Sequence, residues 1–258
     1  MQVSDDIYLG GILVGGLTLR SNTVDAIGDT VSPVYAQGVG PAGRIFFHNL
    51  VPLTKQTNNV ALSQHTTLGT TLALTAGTGV TQVNAPDGSG NLVMQFDVPR
   101  SVSLTSAGGN NFSGVNFTIT GYDFIGRLQT QKMVGPNGTT VNTLKAFMSV
   151  LSIVPDTTDG THNLSAGTSD IFGLPWRVND ATLIVCVKWA NTLAQDAGTF
   201  AAADATTPAT NATGDPRGTY LPSSGSNGTN RLVIGAHLDG TQCGPQARLA
   251  NLLGVTPV

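Results

Sequence analysis

The sequence contains no glutamate and few charged residues of any kind. Its 258 residues include 12 Lys and Arg and 15 acidic residues, all of them Asp, so charged residues make up 10% of the chain. Soluble domains usually carry about 25%. Because repulsion between copies is weak at such a low charge, we expect a protein that packs against copies of itself. The net charge of -3 and the scattered cations leave no basic stripe for nucleic acid.

Cysteine is nearly absent as well. Cys186 and Cys243 are the only two, too few for a disulfide framework, and no histidine stands at zinc-ligand spacing from either. Cys186 lies in the apolar run 183–187, which predicts a buried thiol. The four histidines are far apart in the chain, and we expect them in polar loops. The sequence therefore predicts no metal site and no cofactor.

No catalytic motif stands out. The chain lacks the H-E-x-x-H metal pair, the G-x-S-x-G elbow and the D-x-D-x-D-G calcium loop. Asp87, Asp159 and Asp239 each precede a glycine and fit turn positions. The pairs Gly10-Gly11 and Gly15-Gly16 do not follow a strand and open a helix, so we expect no phosphate site. We predict that the protein is not an enzyme.

Long hydrophobic segments are also missing. The apolar stretch 7–19 is interrupted by four glycines, and no run approaches the roughly 18 apolar residues that indicate a membrane span. The first residues lack the positively charged region of a signal peptide. We expect a soluble protein, made in the cytoplasm, without a membrane partner.

Glycine, threonine and asparagine are abundant instead. Residues 1–42 are rich in glycine, contain Pro33 and Pro41, and show no sustained period of strand or helix. They predict an extended N-terminal arm, which at about 3.3 Å per residue reaches on the order of 100 Å. The alternative is that this segment folds back onto its own domain as loops and short strands, and the sequence leaves both open. Residues 241–258 are predicted to form a C-terminal tail.

Residues 43–240 predict one β-structured body. Apolar and polar residues alternate over 92–98 and 115–120, as in strands with one buried face. A short turn leads to a polar strand at 128–134, and the Gly-Pro-Asn-Gly sequence at 135–138 supplies the next turn. This rhythm predicts an antiparallel β-sandwich or barrel of the jelly-roll type.

Later segments of the body are less uniform. Residues 141–154 fit both helical and strand spacing, and their β-branched ending favours a strand with a short helical turn near Leu144. The apolar run 181–189 predicts a central strand covered on both faces, and 231–238 predicts another strand. Between these two, residues 191–230 consist largely of Ala, Thr, Gly, Ser and Asn, which predicts a long surface loop.

Three stretches in the second half of the chain share a pattern of Gly, Thr and Asp. They are residues 117–126, residues 167–175, and residues 214–222 followed by 227–232. In these motifs the chain resembles a family of tailed-bacteriophage virion proteins that includes head decoration or cement proteins. The resemblance implies a virion component without catalytic residues. A decoration role, which the low charge, the β-strand rhythm and the extended ends also favour, predicts binding to the major capsid protein and to neighbouring copies, as a homotrimer or homodimer.

Four residues are candidate contacts with a partner: Trp176, Arg177, Arg217 and Tyr220. Arginine and large aromatic residues are the usual anchors of interfaces. A structural role is the alternative for two of them. Trp176 then caps the core after a turn, and Arg217 ties its loop to a carboxylate such as Asp170.

The sequence supports more than one function. The first hypothesis is a decoration protein on the outside of the capsid, located in the virion. The second is a tail or fibre component that binds host sugars by stacking on Trp176, Trp189 or Tyr220. A third is a major capsid protein with a jelly-roll fold.

Overall fold

A computed structural model describes residues 45–204, 206 and 212–237. This part of the chain contains twelve strands, one 3-10 turn at Ala181–Leu183 and no α-helix. The prediction of an all-β, antiparallel fold is confirmed. No helix in these ranges has the length and apolarity to cross a membrane. The predicted arm, 1–42, and the predicted tail, 241–258, lie outside the described residues.

The twelve strands are numbered in chain order. They are β1 Ile45–Leu50, β2 Ala61–Thr66, β3 Val80–Asn84, β4 Leu92–Ser106, β5 Asn116–Tyr122, β6 Leu128–Val134, β7 Thr140–Pro155, β8 Asp159–Gly173, β9 Ile184–Lys188, β10 Thr199–Ala201, β11 Thr219–Leu221 and β12 Leu232–His237. Every pairing between them is antiparallel.

The strands form a small sheet and a large sheet. The small sheet has the order β1-β12-β9, and the large sheet runs β10-β11-β8-β4-β7-β5-β6 with β2 on β8 and β3 on β4. One edge of β4 pairs first with β3 and then with β8. Pro99 lies at this change of partner, where a residue without an N–H is tolerated. The long strands bend, and the large sheet curls into a half barrel.

Side chains link β6 to β7, the two strands that flank β5. Gln129 Nε2 donates to the carbonyl of Ala146 at 2.7 Å, and the N–H of Lys145 donates to Gln131 Oε1 at 2.7 Å. Lys145 Nζ donates to the carbonyl of Thr130 at 3.0 Å. We call this contact the β6–β7 seam. Among the described strand pairings none joins β6 to β7, so side-chain amides here replace a backbone ladder.

Two large apolar cores and a small cluster around Tyr122 stabilise the body. The main core draws most of its buried residues from the long strands, and its phenylalanines are Phe96, Phe112, Phe117 and Phe147. The second core joins the small sheet to the end of the large sheet through Phe172, Leu174, Trp189, Tyr220, Leu232 and Ile234. Each such side chain contributes about 1.5–3 kcal/mol when fully buried. The second core therefore fixes the small sheet to the large one.

The segment 141–154, whose spacing fitted both helix and strand, lies in β7. It runs over Thr140–Pro155 and pairs with β4 and β5. The expected strand is confirmed, and the expected helical turn near Leu144 is wrong. Pairing on both edges of the segment outweighs the local helical spacing.

β9 differs from the predicted central strand. Among the described strands it pairs only with β12 and lies at the edge of the small sheet. Val185 is 46% exposed, and Cys186, predicted to be buried, is half-buried. The continuous apolar run was interpreted as burial on both faces, whereas only Val187 and Trp189 of residues 181–189 are buried.

The segment 191–230 is not one surface loop. It contributes β10 and β11 to the large sheet, and β11 pairs with β8 through Tyr220 and Phe172. Alternation explains the pairing, because Phe200 and Tyr220 lie opposite each other and both contact the second core. The sequence did not predict these two short strands, because most of the residues around them are small or polar.

Candidate functional site

The three motif stretches meet around the guanidinium group of Arg217. Its Nη1 atom lies 3.0 Å from Asp123 Oδ2 in the β5–β6 turn, and its Nε donates to the carbonyl of Leu174 at 3.0 Å. The Arg217 and Asp123 side chains are 2% and 1% exposed. Arg217, predicted as a partner contact, is therefore an internal tie within this chain. Its carboxylate partner is Asp123 and not Asp170.

Asp215 joins the same loop to β7. Its Oδ2 accepts the N–H of Ala146 at 2.9 Å, and its Oδ1 accepts the N–H of Arg217 at 2.8 Å. Complete burial raises the pKa of Asp215, and the charge of Arg217 opposes that shift. Gln129 at the β6–β7 seam and Asp215 together bond both backbone polar groups of Ala146 through their side chains.

A second polar network surrounds Arg100 of β4, which is 1% exposed. Arg100 Nη1 pairs with Asp97 Oδ1 at 2.9 Å, and Nη2 lies 3.5 Å from Asp170 Oδ1. Asp170 also accepts from Ser226 Oγ at 2.6 Å and pairs with Lys55 Nζ at 3.2 Å. Burial lowers the pKa of Arg100, and the two carboxylates oppose this. The network holds two connecting segments against β8.

Tyr220 lies inside the protein. Its ring belongs to the second core, and its hydroxyl donates to Asp196 Oδ2 at 2.8 Å. Burial raises the pKa of Tyr220. Trp189 is also buried, with Nε1 donating to Ser224 Oγ at 2.9 Å. Neither ring has a free face for a partner or a sugar, so the expectation of surface contacts through Tyr220 or Trp189 is wrong for this fold.

Trp176 and Arg177 remain partly exposed to solvent. Both are half-buried, and Trp176 packs against the second core with ring centroids 6.0 Å from Phe46 and from His48. This packing matches the alternative in which Trp176 caps the core. Within the described part of the chain, Trp176 Nε1 and Arg177 Nε have no hydrogen-bond partner.

His48 is a buried residue of β1. Burial lowers its pKa to about 4, and a hydrogen bond with the backbone of Gly173 opposes this shift. The ring is therefore neutral at pH 7. The expectation that the histidines lie in polar loops is wrong for His48, His65 and His162, which lie in β1, β2 and β8.

Two concave surfaces are open to solvent. The first, the β10 groove, has a volume of about 350 Å³ and is lined by Leu144, Ile171, Thr199, Ala201 and Leu221. Leu144 and Leu221 are exposed. Among the described strands β10 pairs only with β11, so its outer edge is unpaired. An apolar floor beside an unpaired strand edge is suited to receive an extended peptide.

The second surface lies beneath the β5–β6 turn. It has a volume of about 420 Å³ and is lined by Asn84, Gln95, Tyr122, Phe124 and Met148, among others. Phe124 is exposed beside the two amide side chains. Tyr122 donates its hydroxyl to Asp87 Oδ2 at 2.6 Å, so it braces the wall of this groove. We call it the Phe124 groove.

One face of the small sheet carries the exposed apolar side chains of Phe47 and Val185. On the opposite, inward face, Ile234 belongs to the second core and its pairing partner His48 packs against Trp176. Phe47, Gly235 and Cys186 are paired across the three strands, so they share the opposite, outer face. Phe47 is 62% exposed.

No family model, no curated protein and no solved structure matches this chain. Within the residues that the structure describes, no group of three or more His, Cys or Asp side chains is placed to hold a metal ion. Function is therefore inferred from the chemistry of the three surfaces.

None of these surfaces was predicted from the sequence, although one signal was present. Phe46 and Phe47 are adjacent, and adjacent residues of a strand point to opposite faces. One of two neighbouring phenylalanines in a strand must therefore face away from the core that receives the other. The sequence gave no comparable signal for the β10 groove. Leu144 lies in β7 and Leu221 in β11, and these two strands are far apart in the chain.

Proposed function

We propose that this protein is a non-enzymatic structural component of a tailed-bacteriophage virion. In this role it binds the outside of the major capsid shell as a decoration, or cement, protein and contacts neighbouring copies of itself. The β10 groove carries the proposal, because an unpaired strand edge beside an apolar floor is a surface for binding another chain.

The distribution of charge supports this role. Several ionisable groups of the motifs are paired inside the body, as Arg217 is with Asp123 and Asp170 is with Arg100. Among the described residues that line the β10 groove, two are ionisable, Asp204 and the fully buried Asp215. A surface with so little charge loses little solvation energy when a protein partner covers it.

The groove suits many weak contacts rather than one strong contact. β10 has three residues, so an added strand gains only a few backbone hydrogen bonds, each contributing about 0.5–1.5 kcal/mol net. A closed shell presents many equivalent sites, and copies that also touch one another bind with increased avidity. Low charge keeps repulsion between such neighbours weak.

The test is binding to purified capsid shells, measured by co-sedimentation over a range of protein concentrations. Leu221→Asp and Leu144→Asp place a charge in the β10 groove, and we expect apparent affinity to fall by about tenfold or more. Leu62→Asp is the matched control, because Leu62 is an exposed leucine of β2. Equal binding by all variants, or a protein that is monomeric and missing from purified virions, contradicts the proposal.

A tail or fibre component that binds host carbohydrate is the second candidate. The Phe124 groove favours it, since an exposed aromatic ring beside the amides of Asn84 and Gln95 suits the apolar face and hydroxyls of a sugar. Immunogold labelling at the tail, together with glycan binding that Phe124→Ala abolishes, supports this candidate over the first. Labelling on the head contradicts it.

A further inference from the structure

The β10 groove offers an added strand one face of β10 and not the other. Thr199 and Ala201 line the groove, whereas Phe200 between them packs against the second core. Outside the β10–β11 ladder, no backbone hydrogen bond between described residues involves Thr199, Phe200 or Ala201. A strand that pairs with this edge therefore places every second side chain over the groove.

The side chains on the floor of the groove differ in size. Thr199 pairs with Leu221 across β10 and β11, and Leu221 is exposed behind the smaller threonine. Leu144 of β7 is exposed on the same floor. Because an added strand lies about 4.8 Å outside β10, only a long apolar side chain crosses Thr199 and covers Leu221. Large apolar residues at alternate positions of the added strand therefore suit this groove.

The charge at the groove is negative. Asp204 lines it three residues beyond the end of β10 and is half-buried. Its carboxylate accepts the N–H groups of Thr206 and Gly214, both at 2.8 Å. Hydrogen bonds from these two residues lower the pKa of Asp204, so its carboxylate is charged at neutral pH. Asp215, the other acid at the groove, is fully buried and bonded within the chain.

No described cation pairs with Asp204. Among the ion pairs between described residues, none includes this carboxylate. The charge of Lys145 acts on Asp204, but the Nζ atom of Lys145 donates to the carbonyl of Thr130. Residues 205–211 contain no charged side chain. Asp204 can therefore pair with a cation that a partner brings.

We propose that the β10 groove receives one extended segment of the shell protein, with large apolar residues at alternate positions and a lysine or arginine beside Asp204. The segment adds to the edge of β10 as a further strand. This inference rests on the proposed binding to the shell and names the chemistry of the segment that is bound.

A second copy of this chain is a poor source of that segment. The chain has 12 Lys and Arg in 258 residues. Most of the described ones already bond within the molecule, as Lys55, Arg100 and Arg217 do. The shell protein is therefore the better source of a free cation at this groove.

Charge substitutions at Asp204 test for the cation. Asp204→Asn removes the charge and keeps one oxygen acceptor, and Asp204→Lys reverses the charge. In co-sedimentation with purified shells, we expect apparent affinity to fall about threefold for Asp204→Asn and about tenfold or more for Asp204→Lys. Rising salt should weaken binding of the parent more than binding of Asp204→Asn. Asp180→Lys is the matched control and should bind as the parent does, since Asp180 is an exposed aspartate that also accepts a backbone N–H.

The outcomes separate this inference from the proposed function. A parent protein that does not bind shells removes the proposed function and, with it, the shell as the source of the segment. Shell binding that Leu221→Asp weakens and both Asp204 variants leave unchanged overturns the inference and leaves the proposed function standing. Oligomers of the free parent that Asp204→Lys dissociates also overturn the inference, because they assign the segment to a neighbouring copy.

Synthetic peptides test the chemistry of the segment without shells. The probes are Leu-Thr-Leu-Thr-Leu-Lys and Lys-Leu-Thr-Leu-Thr-Leu, capped at both ends, which allow either strand direction, and the same two peptides with Glu in place of Lys. Binding to full-length protein labelled with ¹⁵N is followed by NMR. We expect shifts at the amides of Thr199 to Ala201, and a dissociation constant about threefold or more lower for a Lys peptide than for its Glu counterpart.

The preference between the peptides should reverse in Asp204→Lys, which binds the Glu peptide more tightly. Equal affinity of the parent for the Lys and Glu peptides overturns the inference. Shifts confined to another surface, or no shifts with any of the four peptides, also overturn it.

Discussion

Arg217 and Asp123 form a buried ion pair between residues that are 94 positions apart in the sequence. The pair joins the loop before β11 to the turn between β5 and β6. Removing two charges from water costs free energy that their attraction only partly offsets, so such a pair adds little net stability. Removing one partner is different, because the other charge is then left buried alone.

Arg217→Met should therefore destabilise the protein strongly. We expect a loss of about 3–5 kcal/mol in the free energy of unfolding, because Asp123 loses its counter-ion. Urea denaturation measures the change. The double variant Arg217→Met/Asp123→Leu should lose less than Arg217→Met alone. Arg231→Met is the control, since Arg231 is exposed and its side chain donates to Asn49 Oδ1 at the surface; a loss there as large as for Arg217 contradicts the interpretation.

Asp215→Asn should weaken the link between the Arg217 loop and β7. The carboxylate accepts two backbone N–H groups, and an amide presents its NH₂ group to one of these donors. We expect a loss of about 1–3 kcal/mol in unfolding free energy by thermal or urea denaturation. Asp180→Asn is matched, because Asp180 also accepts a backbone N–H but is exposed at the start of the 3-10 turn. Asparagine serves that position equally well, so an equal loss at both sites refutes the assignment.

Stability should fall between pH 6.5 and pH 4 because of His48. Its pKa is about 4 in the folded protein against 6.5 ordinarily, so in this window the unfolded chain binds more protons than the folded one. Stability due to the neutral ring is complete above pH 6.5 and is lost as the pH falls. At pH 5 the loss is about 2 kcal/mol relative to pH 7.

The measurement is urea denaturation of the parent and of His48→Gln at several pH values. The variant should show a flatter dependence on pH between 4 and 6.5, whatever its stability at pH 7. His65→Gln, which alters an exposed histidine of β2, should keep the parent's slope. A parental slope in His48→Gln rules out His48 as the source.

Gly121→Ala should disrupt the pairing of β5 with β7. A Cβ atom at Gly121 lies 2.1 Å from the carbonyl oxygen of Ser149, so the two strands must separate. We expect a loss of about 3 kcal/mol or more, above the usual range for overpacking because backbone is the obstacle. Gly160→Ala is the control, since nothing lies within 4 Å of its Cβ position. Similar melting temperatures for the two variants contradict this account.

Strands with one buried face were predictable from the sequence. β6 begins and ends where its polar pattern and flanking turns predicted, and β5 differs by two residues at its end. The period of two residues reports burial on one side directly. β2 and β3 were missed, because Ala61–Thr66 and Val80–Asn84 are mostly polar strands with one or two buried residues each.

The candidate contact residues were harder to predict, for a physical reason. Arg217 and Tyr220 have the composition of interface anchors, but their partners, Asp123 and Asp196, come from other parts of the chain. A single sequence reports residue types and local spacing, and it contains no direct record of pairs brought together by folding. The surfaces that do face solvent depend on strand order for the same reason.

The small sheet joins strands from distant parts of the chain, and this affects how the protein folds during synthesis. Among the described strands, β1 and β9 each pair only with β12, and β1 precedes β12 by more than 180 residues. During synthesis neither strand can pair with β12 until residue 237 has left the ribosome. The second core is therefore completed last, and until then the aromatic side chains around Phe172 and Trp189 are exposed to aggregation.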